Sequence, residues 1–273
     1  MKRLGDFVNQ VVLLILGLLS LFPIYFTLVN SVKNPEQYAR NAFNPPAEFQ
    51  WQNFSRAWDV ISLPIFNTVF IVVVSVVFIL ALGSLSAYAF ALLDFPGRRL
   101  LFALVFALLL IPSFLTLIPL YLQIKGLGLS NHFAVILPYI AAEQAFTIFV
   151  LKAFFEGLPK ELLEAAKVDG AGEFFTFRRI VLPLSVPVLV SVGIINVIPL
   201  WNDFLLPQLV LSRDYQTVTM ALVAFQGNAE SYTAPDFGAL MAAYTLASVP
   251  LLILFSFLMR SYIEGLTSGA LKG

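Results

Sequence analysis

The chain has 273 residues, of which 59% are hydrophobic and 12% are charged, and its mean hydropathy is +0.88. This composition excludes an ordinary water-exposed surface and is typical of a protein that spans a membrane. The net charge of zero gives no reason to expect nucleic acid as a partner, and the lack of cysteine excludes disulfides, thiolate catalysis and cysteine-based metal sites.

Apolar stretches long enough to cross a bilayer, which takes roughly 20 helical residues, recur along the chain. We therefore predict an all-α, polytopic membrane protein with a single transmembrane domain over residues 1–273. Its six predicted spans are residues 11–30, 64–92, 100–121, 133–155, 184–206 and 238–260.

Three of these spans carry features of their own. A cleaved signal peptide is the alternative to the first span, but no small-residue cleavage site follows it, so an uncleaved helix is expected. Pro112 and Pro119 predict a kink in the third span, which membrane helices tolerate when neighbours satisfy the freed carbonyls. The fourth span carries Glu143 and Gln144 near its middle.

Basic residues in short loops indicate orientation, because they are retained on the cytoplasmic side. With the N-terminus inside, the inner segments hold Lys2, Arg3, Arg98, Arg99, Lys152, Lys160, Lys167, Arg178, Arg179, Arg260 and Lys272, and the outer segments hold Lys33, Arg40, Arg56, Lys125 and Arg213. Both termini are therefore expected in the cytoplasm. The outer segment 33–63, with its adjacent prolines and several aromatic residues, is expected to be ordered.

The segment 157–183, between the fourth and fifth spans, is too polar to cross the membrane. Pro159 at a helix start, followed by acidic residues and good helix formers, predicts a helix that ends at Asp169-Gly170. A second short helix is predicted over 172–179, where Phe174, Phe175 and Phe177 are expected to seat the pair against the bundle.

Within this segment, three short runs resemble the EAA motif of bacterial ABC importer permeases. They are Glu164-Ala165-Ala166, Asp169-Gly170-Ala171 and Ile180-Val181-Leu182-Pro183. More narrowly, the chain resembles the maltose-type carbohydrate permeases that end on a short cytoplasmic tail. Four further segments show the same likeness, so it covers nearly the whole chain. They are 88–100, 117–131, 201–207 and 260–273.

The resemblance implies a type I ABC importer permease fold, in which this loop is a cytoplasmic coupling helix that inserts into a separate ATPase. It implies polar contacts from Glu164 and Asp169 and a turn at Gly170. The full set of implied coupling residues is Glu164, Ala165, Ala166, Asp169, Gly170, Ala171, Ile180, Leu182 and Pro183. An ordinary amphipathic helix at the membrane surface is the alternative for this loop.

The resemblance also implies a function: a permease subunit that forms half of the path for a sugar or oligosaccharide in a bacterial or archaeal cytoplasmic membrane. The implied partners are a second permease in a heterodimer, an ATPase dimer that binds ATP and magnesium, an extracytoplasmic sugar-binding protein and the lipid bilayer. The chain itself is expected to bind no cofactor. A polyol or glycerol phosphate is the alternative solute.

The chain shows no sign of an enzyme. No G-x-x-x-x-G-K-[ST] run is present to cradle a phosphate, so ATP hydrolysis is expected on another polypeptide. A single histidine, His132, excludes H-E-x-x-H, and we expect it to be solvated or to cap a helix. Asp203 and Asp214 lack a partner base for a membrane-embedded hydrolase. A secondary transporter or channel is the less favoured reading, because six spans without a second comparable half leave no inverted repeat.

Polar residues inside the apolar spans are the candidates for the substrate path. A charge at the bilayer centre costs about 2.5 to 3.5 kcal/mol, so Glu143 must face a partner, a cavity or an interface. Glu143 and Gln144 either line the passage or bond across helices to stabilise the bundle. Trp201, Asn202 and Asp203 form a second candidate group, with Trp201 as an interfacial anchor the alternative. The spans carry no mid-depth Lys or Arg, which favours a neutral solute.

Overall fold

A computed structural model describes residues 2–226 and 236–270 of the chain. Every regular element within those two ranges is helical. Lys272, one of the basic residues expected inside, lies outside the described residues. The elements are α1 (Lys2–Ser31), α2 (Pro35–Arg40), α3 (Gln52–Leu92), α4 (Arg98–Leu108), α5 (Ser113–Gly126), α6 (Phe133–Ala142), α7 (Gln144–Glu156), α8 (Lys160–Val168), α9 (Glu173–Thr176), a π-helix (Phe177–Val181), α10 (Leu182–Leu184), α11 (Val186–Asn202), α12 (Leu205–Val210), a 3₁₀ turn (Arg213–Tyr215), α13 (Val218–Gln226) and α14 (Phe237–Ala270).

Three helices in the described part of the chain are long and apolar enough to cross a membrane unbroken. These are Asn9–Ser31 within α1, Gln52–Leu92, which is α3, and Phe237–Met259 within α14. Three further bent pairs of helices pass the same test, so there are six crossings if each pair is one span. The all-α, multi-helix class expected from the sequence is therefore confirmed.

The third predicted span bends much more sharply than a kink. Helices α4 and α5 meet at 98°, and the break falls before Pro112, whose ring disfavours helical backbone in the preceding residue. Pro119 lies inside α5 without ending it. One proline therefore breaks the span and the other is accommodated.

The fourth and fifth predicted spans are not single straight helices. The fourth divides at Glu143, where α6 and α7 meet at 40°. In the fifth, a 76° bend at Ser185 separates α11 from a helical run that starts at Glu173. That run continues to Leu184, so the short helix predicted over 172–179 is longer than expected. Helices α12 and α13 were not predicted.

The described residues fall into two compact units. Among those residues, one unit holds 2–65 with 220–226 and 236–252, and the other holds 66–219 with 253–270.

In the first unit, a buried lysine organises the segment after α1. Lys33 is 1% exposed, and its Nζ donates to the backbone oxygens of Asn41 at 3.0 Å and Ala42 at 3.1 Å. Burial lowers the pKa of Lys33 below its usual 10.5. Asn53 Nδ2 donates to the backbone oxygens of Ser31 and Lys33. The segment after α1 is therefore ordered, as predicted.

In the second unit, side chains from α3, α7 and α11 form a core with the π-helix of the 157–183 segment. Helices α3 and α7 approach closely at Gly83, where an added Cβ would lie 2.4 Å from Cγ2 of Thr147. Small residues let neighbouring membrane helices approach closely in this way. The core residues are Ala87, Tyr88, Leu151, Phe155, Phe177, Val181, Val188 and Val192.

Candidate functional site

The 157–183 segment begins with α8, which ends in a Schellman motif. Gly170 has φ of +77°, its N–H donates to Lys167 O at 3.1 Å, and Ala171 N–H donates to Ala166 O at 2.9 Å. These two bonds satisfy carbonyls that the end of the helix leaves open. The turn predicted at Asp169-Gly170 is confirmed, and it needs glycine because its φ is in the left-handed region.

Most of the residues singled out on α8 lie on the surface. Glu164, Ala165, Asp169 and Gly170 are exposed, and the neighbouring Val168 is 87% exposed. Ala166 is buried at 7% exposure, so it faces the protein's own interior and not a free surface. Of the two alanines in the implied coupling set at 165 and 166, only Ala165 is therefore exposed.

The second half of the segment ties the loop to the bundle. Leu182 packs on the core, Ile180 is half-buried and Pro183 is exposed. Of the three phenylalanines expected to seat the loop, Phe177 is buried in the core, whereas Phe174 and Phe175 are exposed. The seating is therefore done by one aromatic residue and not by three.

Two polar contacts also join Glu173, in the second half of the segment, to α3 and to α8. The Tyr88 hydroxyl donates to Oε2 of Glu173 at 2.6 Å, and the Lys167 ammonium lies 3.9 Å from the other carboxylate oxygen, Oε1. The Tyr88 ring meets Phe177 edge-on at 5.2 Å. Sequence analysis missed Tyr88, although a tyrosine near the end of an apolar span needs a hydrogen-bond partner when buried.

A cavity of about 360 Å³ lies between α5, α6, α11 and α12. Apolar residues such as Phe114, Leu117 and Leu200 form much of its wall. Its volume falls within the ~300 to 1,000 Å³ typical of small-molecule sites, which combine apolar walls with a few polar groups. The polar lining residues are Ser113, Thr116, Tyr139, Glu143, Asn202 and Asp203.

Glu143 sits at the bend between α6 and α7, where it lines this cavity. Its side chain is half-buried and makes no hydrogen bond or ion pair with any residue that the structure describes. The cross-helix bond that was the alternative for Glu143 is made instead by Gln144, whose Nε2 lies 3.4 Å from Ile79 O. The carboxylate of Glu143 is thus available to a ligand.

Asp203 lines the cavity too, but its carboxylate is already engaged. Oδ2 accepts from the Tyr139 hydroxyl at 2.7 Å and Oδ1 accepts from Leu205 N–H at 3.0 Å, where α12 begins. Its backbone oxygen accepts from Thr219 Oγ1 at 2.7 Å. Asp203 therefore shapes the cavity wall while keeping its negative charge beside the open space.

The other sequence candidates are placed differently. Asn202 lines the cavity and its Nδ2 donates to Ile198 O at 2.8 Å. Gln144 and Trp201 do not line the cavity. Trp201 is buried at 6% exposure, so neither a sugar-facing ring nor a lipid-facing anchor describes it.

The lone histidine is half-buried at the N-cap position of α6, but its side chain makes no capping hydrogen bond. His132 Nε2 lies 3.0 Å from Asn67 Oδ1, and its ring meets Tyr215 edge-on at 4.9 Å. Asn67 in turn donates to the backbone oxygens of Asp214 and Gln216 at 3.2 Å each. His132 therefore belongs to a polar cluster that organises the segment around the 3₁₀ turn.

Comparison with known proteins identifies the family. The profile of the family described as binding-protein-dependent transport system inner membrane component matches residues 79–266, well over half of the chain. The chain belongs to this family. As a membrane component of a binding-protein-dependent transporter, this permease is not itself the ATPase, in agreement with the missing phosphate-binding loop. The 79–266 match includes the whole 157–183 segment and the cavity-lining residues.

Curated relatives match along nearly the full length of the permease. A diacetylchitobiose uptake system permease protein of Streptomyces coelicolor is 32% identical, over 97% of this chain and 88% of the relative. A melibiose/raffinose/stachyose import permease protein of Bacillus subtilis is 34% identical, over 92% of this chain and 91% of the relative.

The fold is shared with a solved transporter. The crystal structure of a bacterial ABC transporter involved in the import of the acidic polysaccharide alginate contains a chain that matches with a TM-score of 0.81. The match covers 94% of the permease and 96% of that chain at 22% identity. The type I permease fold expected from the EAA-like segment is therefore confirmed.

Proposed function

We propose that the permease imports a neutral carbohydrate, a sugar or oligosaccharide, and forms half of its path across the membrane. Two of the curated relatives that match over more than nine-tenths of the chain support this, since each is named for oligosaccharide uptake or import. The cavity supports the same class of solute. Its apolar wall and its hydrogen-bonding groups suit the C–H faces and the hydroxyls of a sugar.

The proposal that the solute is neutral rests on the charged groups that line the cavity. Its lining includes the carboxyl groups of Glu143 and Asp203 and, among the described residues, no lysine or arginine. Carboxylates accept hydrogen bonds from sugar hydroxyls, whereas they repel phosphate or a uronic acid. A polyol remains compatible with this lining, and glycerol phosphate is disfavoured by it.

The exposed surface of α8 is the proposed contact with the ATPase. In this proposal Glu164 and Asp169 make polar contacts with an ATPase dimer that binds ATP and magnesium. A different second permease completes the pathway, and an extracytoplasmic sugar-binding protein delivers the solute. ATP binding closes the ATPase pair, the movement of α8 opens the permeases outward, and hydrolysis resets them.

The distribution of basic residues supports an orientation with both termini in the cytoplasm of a bacterium or archaeon. The 157–183 segment is then cytoplasmic, where the ATPase is, and the segment 33–63 is extracytoplasmic, where the binding protein is.

Uptake in proteoliposomes tests the proposal. They contain this permease, the second permease and the ATPase, together with the binding protein. We expect ATP-dependent uptake of neutral oligosaccharides such as melibiose, raffinose or diacetylchitobiose, and none of a phosphorylated sugar or an oligouronate. Efficient uptake of an anionic saccharide would contradict the neutral cavity. Uptake by this chain alone would contradict the division of labour.

Variants of Glu143 test whether the cavity lies on the path of the solute. Because a hydrogen bond to a charged group contributes ~1.5 to 3 kcal/mol, Glu143→Leu is expected to raise the KM for uptake by about tenfold or more. Glu143→Gln keeps an acceptor oxygen and should have a smaller effect. Asp6→Leu, at an exposed acid outside the cavity lining and outside the segments 33–63 and 157–183, is the control. An unchanged KM and substrate range in Glu143→Leu would remove Glu143 from the path.

A further inference from the structure

We propose that the hydrogen bond between Tyr88 and Glu173 is the positioning contact through which the movement of α8 reaches α3. This inference rests on the proposed docking of α8 on an ATPase. It adds a transmitting residue, Tyr88, that lies on a transmembrane helix outside the EAA-like segment.

Glu173 is placed to receive the movement of α8. Lys167, in the last turn of α8, lies 3.9 Å from Oε1 of Glu173, and the Schellman motif holds the backbone between them in one conformation. Glu173 is the first residue of the helical run that continues to Leu184. A displacement of α8 therefore reaches Glu173 through this short, fixed stretch of backbone. The Lys167 contact adds little, because both side chains are more than half exposed.

Tyr88 is placed to pass that movement on. Its hydroxyl lies 2.6 Å from Oε2 of Glu173, a short charge-assisted hydrogen bond. Its ring is 5% exposed, near the end of α3, and is packed in the core against Phe177. A side chain held this firmly moves with its helix. Loss of the Glu173 oxygen would leave the hydroxyl without that partner beside apolar side chains, which is unfavourable.

The inner end of α3 is linked to the cavity wall through close packing. Gly83, about one turn from Tyr88, lets α3 approach α7 at Thr147, and Ile79 O lies 3.4 Å from Gln144 Nε2. Gln144 is the neighbour of Glu143, which lines the cavity. Movement at Tyr88 therefore reaches the bend at Glu143 through contacts that have little room to absorb it.

Tyr88→Phe and Glu173→Ala, each in the complete transporter, test this inference. The measurements are sugar uptake, ATP hydrolysis with and without the loaded binding protein, and crosslinking from a cysteine at position 164 to the ATPase. We expect both variants to keep the crosslink and basal hydrolysis but to lose about tenfold in the number of sugars imported per ATP. The double variant should be no worse than the worse single variant.

Two further variants separate positioning from a general structural effect. Glu173→Gln keeps an acceptor for the Tyr88 hydroxyl and loses the charge that faces Lys167, so it should retain coupling. Tyr121→Phe is the matched control, because Tyr121 is a half-buried tyrosine whose ring, which lies 5.7 Å from Lys125 Nζ, is kept by phenylalanine.

The outcomes distinguish this inference from the proposal on which it rests. A normal ratio of sugar to ATP in Tyr88→Phe and Glu173→Ala, with the crosslink present, overturns the inference alone. Equal impairment of Glu173→Gln and Glu173→Ala also overturns it, because the charge and not the bond to Tyr88 would then matter. No crosslink in the parent transporter overturns the docking of α8 itself. Because Glu173 is on the surface, its variants keep the test decisive even if Tyr88→Phe assembles poorly.

Discussion

Most buried polar side chains in the described part of this permease have hydrogen-bond partners, although Asn30 Oδ1, Ser75 Oγ and Asn196 Oδ1 are buried without one. Tyr139 is paired with Asp203, and Asn53 with two backbone oxygens next to Lys33. An unpaired polar group away from water costs about 1 to 3 kcal/mol, which explains this matching. Glu143 has no such partner in the described part of the chain, and it lines open space. Because its carboxyl group is not already bonded to such a partner, Glu143 is the best candidate for contact with the solute.

Lys33 supplies a prediction at the same scale. Lys33→Met removes two donors and leaves the backbone oxygens of Asn41 and Ala42 without them, so we expect a loss of about 1 to 2 kcal/mol in the local stability of the segment after α1. Hydrogen exchange at the amides of Gln37 and Gln50 measures it. Lys125→Met, at an exposed lysine, is the control and should change these rates little.

The pH dependence of the Lys33 effect follows from its lowered pKa. Below the folded-state pKa both folded and unfolded chains are protonated, so the full cost of burying the ammonium is present. That cost disappears as the pH rises from the lowered pKa to 10.5. The parent protein should therefore gain stability relative to Lys33→Met over this window. A difference that does not change with pH would show that the buried group does not titrate differently on folding.

At the scale of elements, prolines and glycines act according to what surrounds them. Pro64, Pro119 and Pro250 lie inside helices, whereas Pro112 stands where α4 and α5 are broken apart. Proline removes one donor and crowds the preceding residue, and neighbouring helices decide whether the helix continues. Gly170, like Gly97 and Gly128, has a positive φ that other residues rarely adopt.

Gly170 provides the prediction for the end of α8. Gly170→Pro cannot reach φ of +77° and loses the N–H that bonds Lys167 O, so α8 should lose its defined end. We expect insertion in the membrane to be unchanged and hydrolysis stimulated by the loaded binding protein to fall at least tenfold. Both are measured in reconstituted transporter.

Gly172→Pro is the matched control, because Gly172 already has φ of −70° and an added Cβ would have open space. It should keep most of the stimulated hydrolysis. Normal stimulation in Gly170→Pro would count heavily against a mechanical role for this turn.

At the scale of the whole molecule, the chain exposes far more apolar surface than water tolerates. The apolar 18-residue window of the membrane-length part of α1 has no residue buried within the chain, and the corresponding windows of α3 and α14 are 33% and 22% buried. Such helices must be covered by lipid or by another polypeptide. This is the physical basis for treating the chain as a membrane component of a larger assembly.

Orientation is the prediction at this scale, and the lack of native cysteine makes it direct to test. Single cysteines at Asn44 and Arg213 should react with a membrane-impermeant maleimide in right-side-out vesicles, because both sites are exposed and expected outside. Cysteines at Arg99 and Lys160 should react only after the vesicles are opened. The reverse pattern would invert the topology and place α8 away from the ATPase.

Part of the candidate site was predictable from neighbouring residues. The helix from Pro159 to Asp169, its glycine end and the spacing to Pro183 are local patterns, and α8 and its Schellman motif follow them. The burial of Ala166 was not predictable, because the face of a short helix that packs inward depends on residues from distant helices. The same holds for Trp201, which is covered by the protein's own side chains.

The amino-acid sequence by itself determined the membrane class, the all-α fold and the family, because hydropathy and the EAA-like spacing depend on residues close together in the chain. The tertiary structure alone decided which polar residues meet. Tyr88 bonds Glu173 across 85 positions and Tyr139 bonds Asp203 across 64, so nothing local indicates either pair. It also decided that Glu143 stands at a bend beside a cavity while Gln144 packs against α3, because adjacent residues on a helix point to different sides.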